Sequence, residues 1–405
     1  MSNHTHDTTS DQKLADGVFV NEIVRIESSE QLADLLADAT ARNQTAIPFG
    51  GRRSLATGNP ADSARWGLDI TGLRGIIAYE PADLTLSVRA GTSLAEIQHV
   101  LAEAGQELPI DIPHPDETTI GGLVATGFAG PRRLRSGSLR DLLIGCEFVR
   151  GDGLQAKAGG MVVKNVSGFE IPRFLHGSWG ALAVLTSVNL KVTPMARADG
   201  TLLGGFASIG DAIAAAQVLI AAEGSIESCV VTSNGEGVRV AARAVGRVGA
   251  VSAMLHSFAR GLGSESERLV SATSRTFWQD LVNEYAESTS QVVIAMSTRP
   301  RDIQALARRV AEIGSRSGAR LQVSPGTGSL RIGMPDNEDQ LEEPVAEIIS
   351  VANGYNAPYV LESAPLSLRS AVPAWGVEPE GIDVMRSVKR QFDPSNVLNP
   401  GRLFL

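Results

Sequence analysis

Three glycine-bearing segments hold most of what could be chemistry in this chain. The first, PFGGRRSLATG (48–58), follows a short apolar run. Successive backbone N–H groups in a Gly-Gly turn can form a concave nest for phosphate oxygens, and Ser54 adds a hydroxyl. The same residues also suit a plain strand-to-turn connection. The second is ETTIGGLVATGFAGPRRLRSGSLRDLLIG (117–145). Thr118 or Thr119 can cap a short helix starting near Gly121-Gly122, and its small residues leave backbone bare. Glycine inside a helix costs roughly 1 kcal/mol relative to alanine, so several in one turn require a reason. Two are open: a pyrophosphate lying at the helix start, or close packing of helix on strand. The arginines that follow (Arg132, Arg133, Arg135, Arg140) suit a solvated surface, a docking face or the neutralisation of ligand phosphates. The third segment, AGGMVVKNVSGFEIPRFLHGSWGALAVLTSV (158–188), bares backbone beside another strand pattern.

These segments need strands to hold them, and the sequence supplies candidates. VFVNEIVRI (18–26) reads as a strand, SSEQLADLLADATARNQ as an amphipathic helix with serine and glutamate near its start, and TAIPFG (45–50) as a buried strand. IIAYE and LTLSVRAG read as paired strands, followed by a helix over 94–104 capped by Thr92 or Ser93. Strands dominate up to about residue 195, and the composition changes near 196. Beyond it, strands alternate with helices at 209–223 and 300–314 and with a long helical region at 249–287, the pattern of an α+β domain with an antiparallel sheet. DNEDQLEEPVAEIISVANG (336–354) reads as a surface helix, and the tail as a helix stopped at Asp393-Pro394. No internal repeat is visible. Residues 1–16 are polar and expected to be disordered.

Composition mainly excludes. Half of the 42 glycines fall between residues 41 and 190, without the every-third spacing of collagen, and 43% of the chain is apolar, too much for a disordered chain. A net charge of −9 makes nucleic acid an unexpected partner. The two cysteines, Cys146 and Cys229, provide no disulfide framework, and the setting expected is the cytoplasm. No secretory signal and no apolar run long enough for a transmembrane segment is present. Neither G-x-G-x-x-G after a strand nor G-x-x-x-x-G-K-[ST] occurs, so neither a Rossmann site nor a Walker loop is expected.

In order along the chain, a Gly-Gly turn after a strand, T-I-G-G-x-x-A-T, S-G-S-x-R-D, V-K-N-V-x-G-F, G-S-x-G-x-L and F-D-P-x-x-V-L-N-P-G-R resemble the PCMH-type (vanillyl-alcohol oxidase-like) FAD-binding flavoproteins, most nearly the FAD-binding subunits of bacterial glycolate oxidases. That resemblance is strong over 17–195 and 371–405 and loose over 196–370. It implies an α+β fold with a two-part FAD-binding domain (17–195), a ferredoxin-like α+β cap (196–370) and a C-terminal segment (371–405) returning to the FAD domain. It implies that Phe49, Gly50, Gly51, Arg52, Arg53, Ser54 and Leu55, with Thr119, Gly121, Gly122, Ala125, Thr126 and Gly130, hold the FAD pyrophosphate. Ser136, Gly137 and Arg140, with Gly168, Gly177, Ser178 and Gly180, would line the adenosine and flavin ends. Members with covalent flavin place a histidine in the first loop. Arg52 and Arg53 stand there in this chain, so FAD is expected to be non-covalent.

Catalytic residues are where the chain departs from the family. Oxidising a 2-hydroxy acid takes hydride transfer to the flavin and a base for the hydroxyl proton, most often histidine. Catalytic relatives carry H-x-G-D-G-N-x-H in the cap; the corresponding SPGTGSLRIG (324–333) has neither histidine nor acid. Of the six histidines only His114 and His176 lie near the expected cofactor loops, each with an equally good structural reading, so the catalytic residues stay unknown. Lys164 suits either a cation beside the flavin or an exposed lysine; Arg402 suits either closure over the flavin edge or anchorage of the chain end. No metal is expected. The reading is thus an FAD-binding subunit of a multi-subunit glycolate (2-hydroxy acid) oxidase. Its expected partners are a catalytic flavoprotein subunit and an iron–sulfur subunit, in the cytoplasm or peripherally at the inner face of the membrane. A self-sufficient FAD-dependent dehydrogenase, using Glu362 or Tyr359 as base, and a scaffold subunit with a decayed flavin site are the alternatives.

Overall fold

The structure, a computed structural model, describes residues 12–15, 17–161, 169–262, 266–286, 291–335, 341–376 and 378–404. The first part of the chain builds two larger sheets and a two-stranded pair, Gln106–Glu107 with Thr193–Pro194. One of the larger sheets has four strands in the order Gln12–Ala15, Val18–Arg25, Ala64–Asp69, Ala46–Phe49, antiparallel at its first pair and parallel at the other two. The other is antiparallel, in the order Ile76–Glu80, Thr85–Arg89, Ala183–Lys191, Leu143–Arg150, Gln155–Gly159. The strand Ala183–Lys191 lies at its centre with eight of nine residues buried, as its unbroken apolar and small sequence requires.

Helices pack where their periodicity predicts. In Ser29–Ala41 the buried positions Leu32, Ala33, Leu36 and Ala39 form one stripe, and the Ser28 hydroxyl accepts from the Gln31 amide. Helix Leu94–Glu103 is capped by Ser93 in the same way.

The cap is one eight-stranded antiparallel sheet: Glu267–Val270, Ala198–Phe206, Gly237–Gly246, Ser228–Asn234, Arg320–Ser324, Ser329–Pro335, Gln291–Ser297, Tyr359–Ser363. Each half of it runs β-α-β-β-α-β along the chain, so the cap is two ferredoxin-like units joined edge to edge between Ser228–Asn234 and Arg320–Ser324. This duplication is not visible as a sequence repeat, because the halves share a pattern of burial and not a set of residues. Helices Ile209–Ala222, Val248–Leu262, Ile303–Ser315 and Glu342–Gly354 cover one face with a common core that includes Ile213, Phe258, Leu306 and Ile348. Burying such side chains contributes about 1.5–3 kcal/mol each. Helix Ala272–Asn283 covers the other face, its Trp278 buried against Leu203, Val230 and Ala241.

Three sequence expectations change. The polar tail is not disordered to residue 16, because Gln12–Ala15 pairs antiparallel with the next strand. Asp16-Gly17 is a hairpin turn signal, Gly17 is left-handed at φ 67°, and Leu14 is buried. The long helical region at 249–287 is two helices split by the edge strand Glu267–Val270. The acidic segment near 336–354 gives a helix, Glu342–Gly354, whose Val345, Ile348 and Ala352 are fully buried beneath its charges.

The chain end packs on the first part. Leu398 bridges Ala46 in parallel, the Ala46 and Asn399 amides donate to Val397 and Ala46 carbonyls, and Gly151 N–H donates to the Phe392 carbonyl. A buried charge network ties the first part to the cap. Arg132 donates to both Glu107 oxygens and to Glu227, while Arg243 donates to Asp111 and to both Asp199 oxygens.

Candidate functional site: a cleft floored by main chain

A cleft with an empty volume of about 1110 Å³, open to solvent, lies where strands of the two sheets end. Phe49 ends Ala46–Phe49, Ile70 follows Ala64–Asp69, Ala90 follows Thr85–Arg89, and Ala183 begins the central antiparallel strand; all four line it. The sequence-derived residues Phe49, Gly50, Gly51, Arg52, Arg53, Ser54, Leu55, Thr119, Gly121, Gly122, Ala125, Thr126, Ser178, Gly180 and Arg402 also lie on its wall. Gly130, Ser136, Gly137, Arg140 and Gly177 do not. Lys164 and Gly168 lie outside the described residues.

The first loop is held open by its neighbours. Gly51 approaches so closely that a Cβ would stand 1.7 Å from the Glu117 carbonyl, and one on Gly50 would stand 2.1 Å from Thr119 Oγ1. Arg52 takes a left-handed conformation, φ 61°, with its guanidinium 4.6 Å from the Phe49 ring centroid. Arg53 pairs with Glu117 and donates to the Ala286 carbonyl of the cap. Among the described residues the amides of Gly51, Arg52, Arg53 and Ser54 have no hydrogen-bond partner. Four consecutive free donors through a left-handed residue make an anion nest.

The second loop behaves differently. Helix Ile120–Thr126 has seven residues, and its first-turn amides are all engaged: Ile120 to the Thr92 carbonyl, Gly121 to the Ala90 carbonyl and Gly122 to Thr119 Oγ1. No amide is left there for a phosphate. A Cβ on Gly121 would lie 2.7 Å from the Ala90 Cβ, so this glycine serves close packing of helix on strand. Gly122 faces space, its would-be Cβ meeting only Thr119 Oγ1 at 3.0 Å. The helix ends at left-handed Gly127, and its last carbonyls accept from the third loop, Val124 from Gly177 N–H and Ala125 from Trp179 N–H.

The residues off the cleft have local reasons. Gly137 has positive φ at 77°, and Ser138 donates both its amide and its hydroxyl to Asp141 Oδ2 at the start of the next helical turn, which accounts for S-G-S-x-R-D. Ser136 donates to Glu227 and Arg140 is exposed. Gly130 packs against Asp111, where a Cβ would lie 2.2 Å from the carbonyl oxygen. Arg132 belongs to the interface network described above and not to a solvated or phosphate-binding cluster.

Among the described residues no histidine lines the cleft. His176 packs against Gly127, and burial with nearby Arg140 holds it below the usual histidine range, in the neutral form. Burial pushes the thiols of Cys146 and Cys229 up to about 12, so neither is a nucleophile. Arg402 is buried and donates through Nη1 to the carbonyls of Leu55 and Thr57, which anchors the first loop to the chain end. Burial and neighbouring Arg369 lower it to about 10, still charged at neutral pH.

Asn399, Trp179 and Phe128 also line the cleft, and glycine patterns gave no hint of Trp179 or Phe128. Trp179 is left-handed (φ 54°) between Ser178 and Gly180, edge-on to Trp375 at 5.1 Å. Asn399 donates to the Trp179 carbonyl, leaving its Oδ1 buried without a partner. A main-chain anion nest, apolar walls and a buried unfilled acceptor together fit a long, flat ligand with a pyrophosphate in its middle and an N–H on its ring system. FAD has those features.

Comparison with known proteins agrees. The family described as FAD binding domain matches residues 20–159, and that described as FAD linked oxidases, C-terminal domain, matches 374–403. Over 175 residues the chain is 39% identical to glycolate oxidase subunit GlcE of Escherichia coli K12, covering 43% of this chain and 49% of that protein. The shared region is thus about half the length of that relative. Over 417 residues it is 21% identical to glycolate oxidase subunit GlcD of Bacillus subtilis 168, covering 94% and 88%. Among solved structures an alkyldihydroxyacetonephosphate synthase superposes with a TM-score of 0.72 over 95% of this chain and 78% of its own, at 17% identity, a likeness of fold.

Proposed function

We propose that this chain, which belongs to the PCMH-type FAD-binding flavoproteins and takes FAD as its cofactor, is the FAD-holding subunit of a multi-subunit 2-hydroxy acid oxidase, with glycolate the expected substrate. Bound FAD would supply a two-electron acceptor for the substrate's α-hydrogen. The amides of Gly51–Ser54 would hold its pyrophosphate, and Asn399 Oδ1 would accept from its ring N–H. Trp179 and Phe128 would keep water off that end. The observation that carries the reading is the nest of free amides in a cleft that no histidine among the described residues lines.

The missing base is what favours a subunit over a self-sufficient enzyme. Glu362 has both oxygens engaged by Arg331, and burial raises the Tyr359 hydroxyl above its usual range, the wrong direction for a base. Turnover then needs partners, a catalytic flavoprotein subunit and an iron–sulfur subunit that takes the electrons onward. Among the described residues no helix is long and apolar enough to cross a membrane; a place in the cytoplasm, or at the membrane's inner face through such a complex, follows from the same reading. The domain limits 17–195, 196–370 and 371–405 are proposed with it.

The test is purification under native conditions. The expected result is a preparation that brings down two further chains and oxidises glycolate with a dye acceptor, while the chain separated from them stays yellow, releases FAD on denaturation and turns over glycolate poorly. A colourless preparation that takes up no added FAD refutes the flavin role and favours a scaffold. Robust glycolate turnover by the isolated chain refutes its dependence on partners.

A further inference from the structure

A second group of polar atoms without partners lies in the cap, packed against residues of the cleft wall. The strand Ser329–Pro335 presents Arg331, whose Nε and Nη2 donate to the two oxygens of Glu362 at 2.9 and 3.1 Å. Its Nη1 has no hydrogen-bond partner among the described residues. The guanidinium lies 4.9 Å from the ring centroid of Phe128, and Phe128 lines the cleft. Arg331 is therefore held rigidly with one edge taken and one edge free, immediately behind a cleft wall.

Tyr285 lies beside it. Tyr285 is 8% exposed and its hydroxyl is buried with no partner, a costly state unless something fills it. It interacts electrostatically with Arg331, Arg320 and Glu284. The next residue, Ala286, accepts from Arg53 on the cleft wall, so this corner of the cap is tied to the cleft from a second direction. Burial and Glu284 push the Tyr285 hydroxyl up, which keeps it a donor. Two donors, a guanidinium edge and a phenol, thus stand beside an otherwise apolar wall with nothing to donate to. A carboxylate has the oxygens both need, and charge-assisted bonds of this kind are the strong ones.

We propose that Arg331 and Tyr285 form a carboxylate-binding subsite in the cap, behind Phe128 of the FAD cleft wall, with Glu362 as the residue that positions Arg331. It rests on the flavin reading of the cleft, and it places a small hydroxy or keto acid by its carboxylate.

The probe is oxalate, titrated into the purified FAD-containing protein and followed by the flavin absorbance spectrum, with calorimetry on the apoprotein in parallel. Saturable binding is expected. Arg331→Gln should weaken it about 30-fold and Tyr285→Phe about tenfold, at unchanged flavin content. Because Arg331→Gln leaves Glu362 without its cation, the double variant Arg331→Leu/Glu362→Gln is measured beside it and should lose oxalate binding equally. Absence of oxalate binding by the wild-type protein, or equal affinity in all variants, overturns the subsite. A protein that binds oxalate through Arg331 but never takes up FAD overturns the flavin reading instead, and calorimetry separates the two.

Discussion

Two Gly-Gly turns lie side by side on the cleft wall, meeting at Thr119, and they have opposite roles. At Gly50-Gly51 the glycines let the loop pass against Glu117 and Thr119, and the following amides point at nothing in the protein. At Gly121-Gly122 every first-turn amide is spent on the neighbouring strand and loop. The first turn is a set of unused donors; the second is a rigid abutment that contributes bare surface. A helix start is an anion site only while its amides are free. Equal composition therefore says little about which turn holds charge.

The largest expected effect comes from breaking the first turn. Gly51→Ala places a methyl against a backbone carbonyl, so the loop must move. We expect a destabilisation of about 1–3 kcal/mol, read as a fall in Tm, and loss of flavin from the purified protein. Gly122→Asp comes next and separates folding from binding. Its side chain enters open space, so Tm should hold while the added negative charge expels FAD; unchanged flavin content would leave that surface merely structural. Thr119→Val should cost about 1 kcal/mol of stability by removing the helix cap, with flavin retained, since no ligand amide depends on it.

The smallest effect concerns pH. His176, behind the second turn, is held below its ordinary value of 6.5 by burial and Arg140. The unfolded chain therefore binds a proton that the folded one refuses, and this contribution is lost as pH falls below about 6.5. Chemical denaturation between pH 7.5 and 5 should show a shallower acid-side loss for His176→Gln than for the parent. An identical slope would mean that His176 titrates alike in both states.

The glycine loops were legible because backbone proximity restricts residue type strongly; Gly51 tolerates no side chain, and Gly137 and Gly17 sit at positive φ. Their division of labour was not legible, because it depends on which carbonyls come near, and Ala90 and Thr92 are brought to the helix start by the sheet. Arg132 read as one of a row of arginines, yet its partner Glu227 is 95 residues away. Arg331 and Tyr285 carry no sequence signal for the same reason. An arginine among β residues and a tyrosine after a helix look ordinary until folding leaves their donors unmatched. The doubled cap escaped notice because apolar alternation, which both halves share, is common to any half-buried sheet.

The buried charges of Arg132, Arg243, Glu107, Glu227, Asp111 and Asp199 bear on how this protein could be dissected. Each part of the chain presents the other with ionic groups that are well matched only in the joint structure. A fragment cut between the flavin half and the cap would keep Arg132 paired with Glu107 or Arg243 with Asp199, but would leave Asp111 or Glu227 without its arginine from the other part. Neither piece is a ready-made module for grafting. Homologues that exchange one part should have to exchange the complementary charges of the other at the same time.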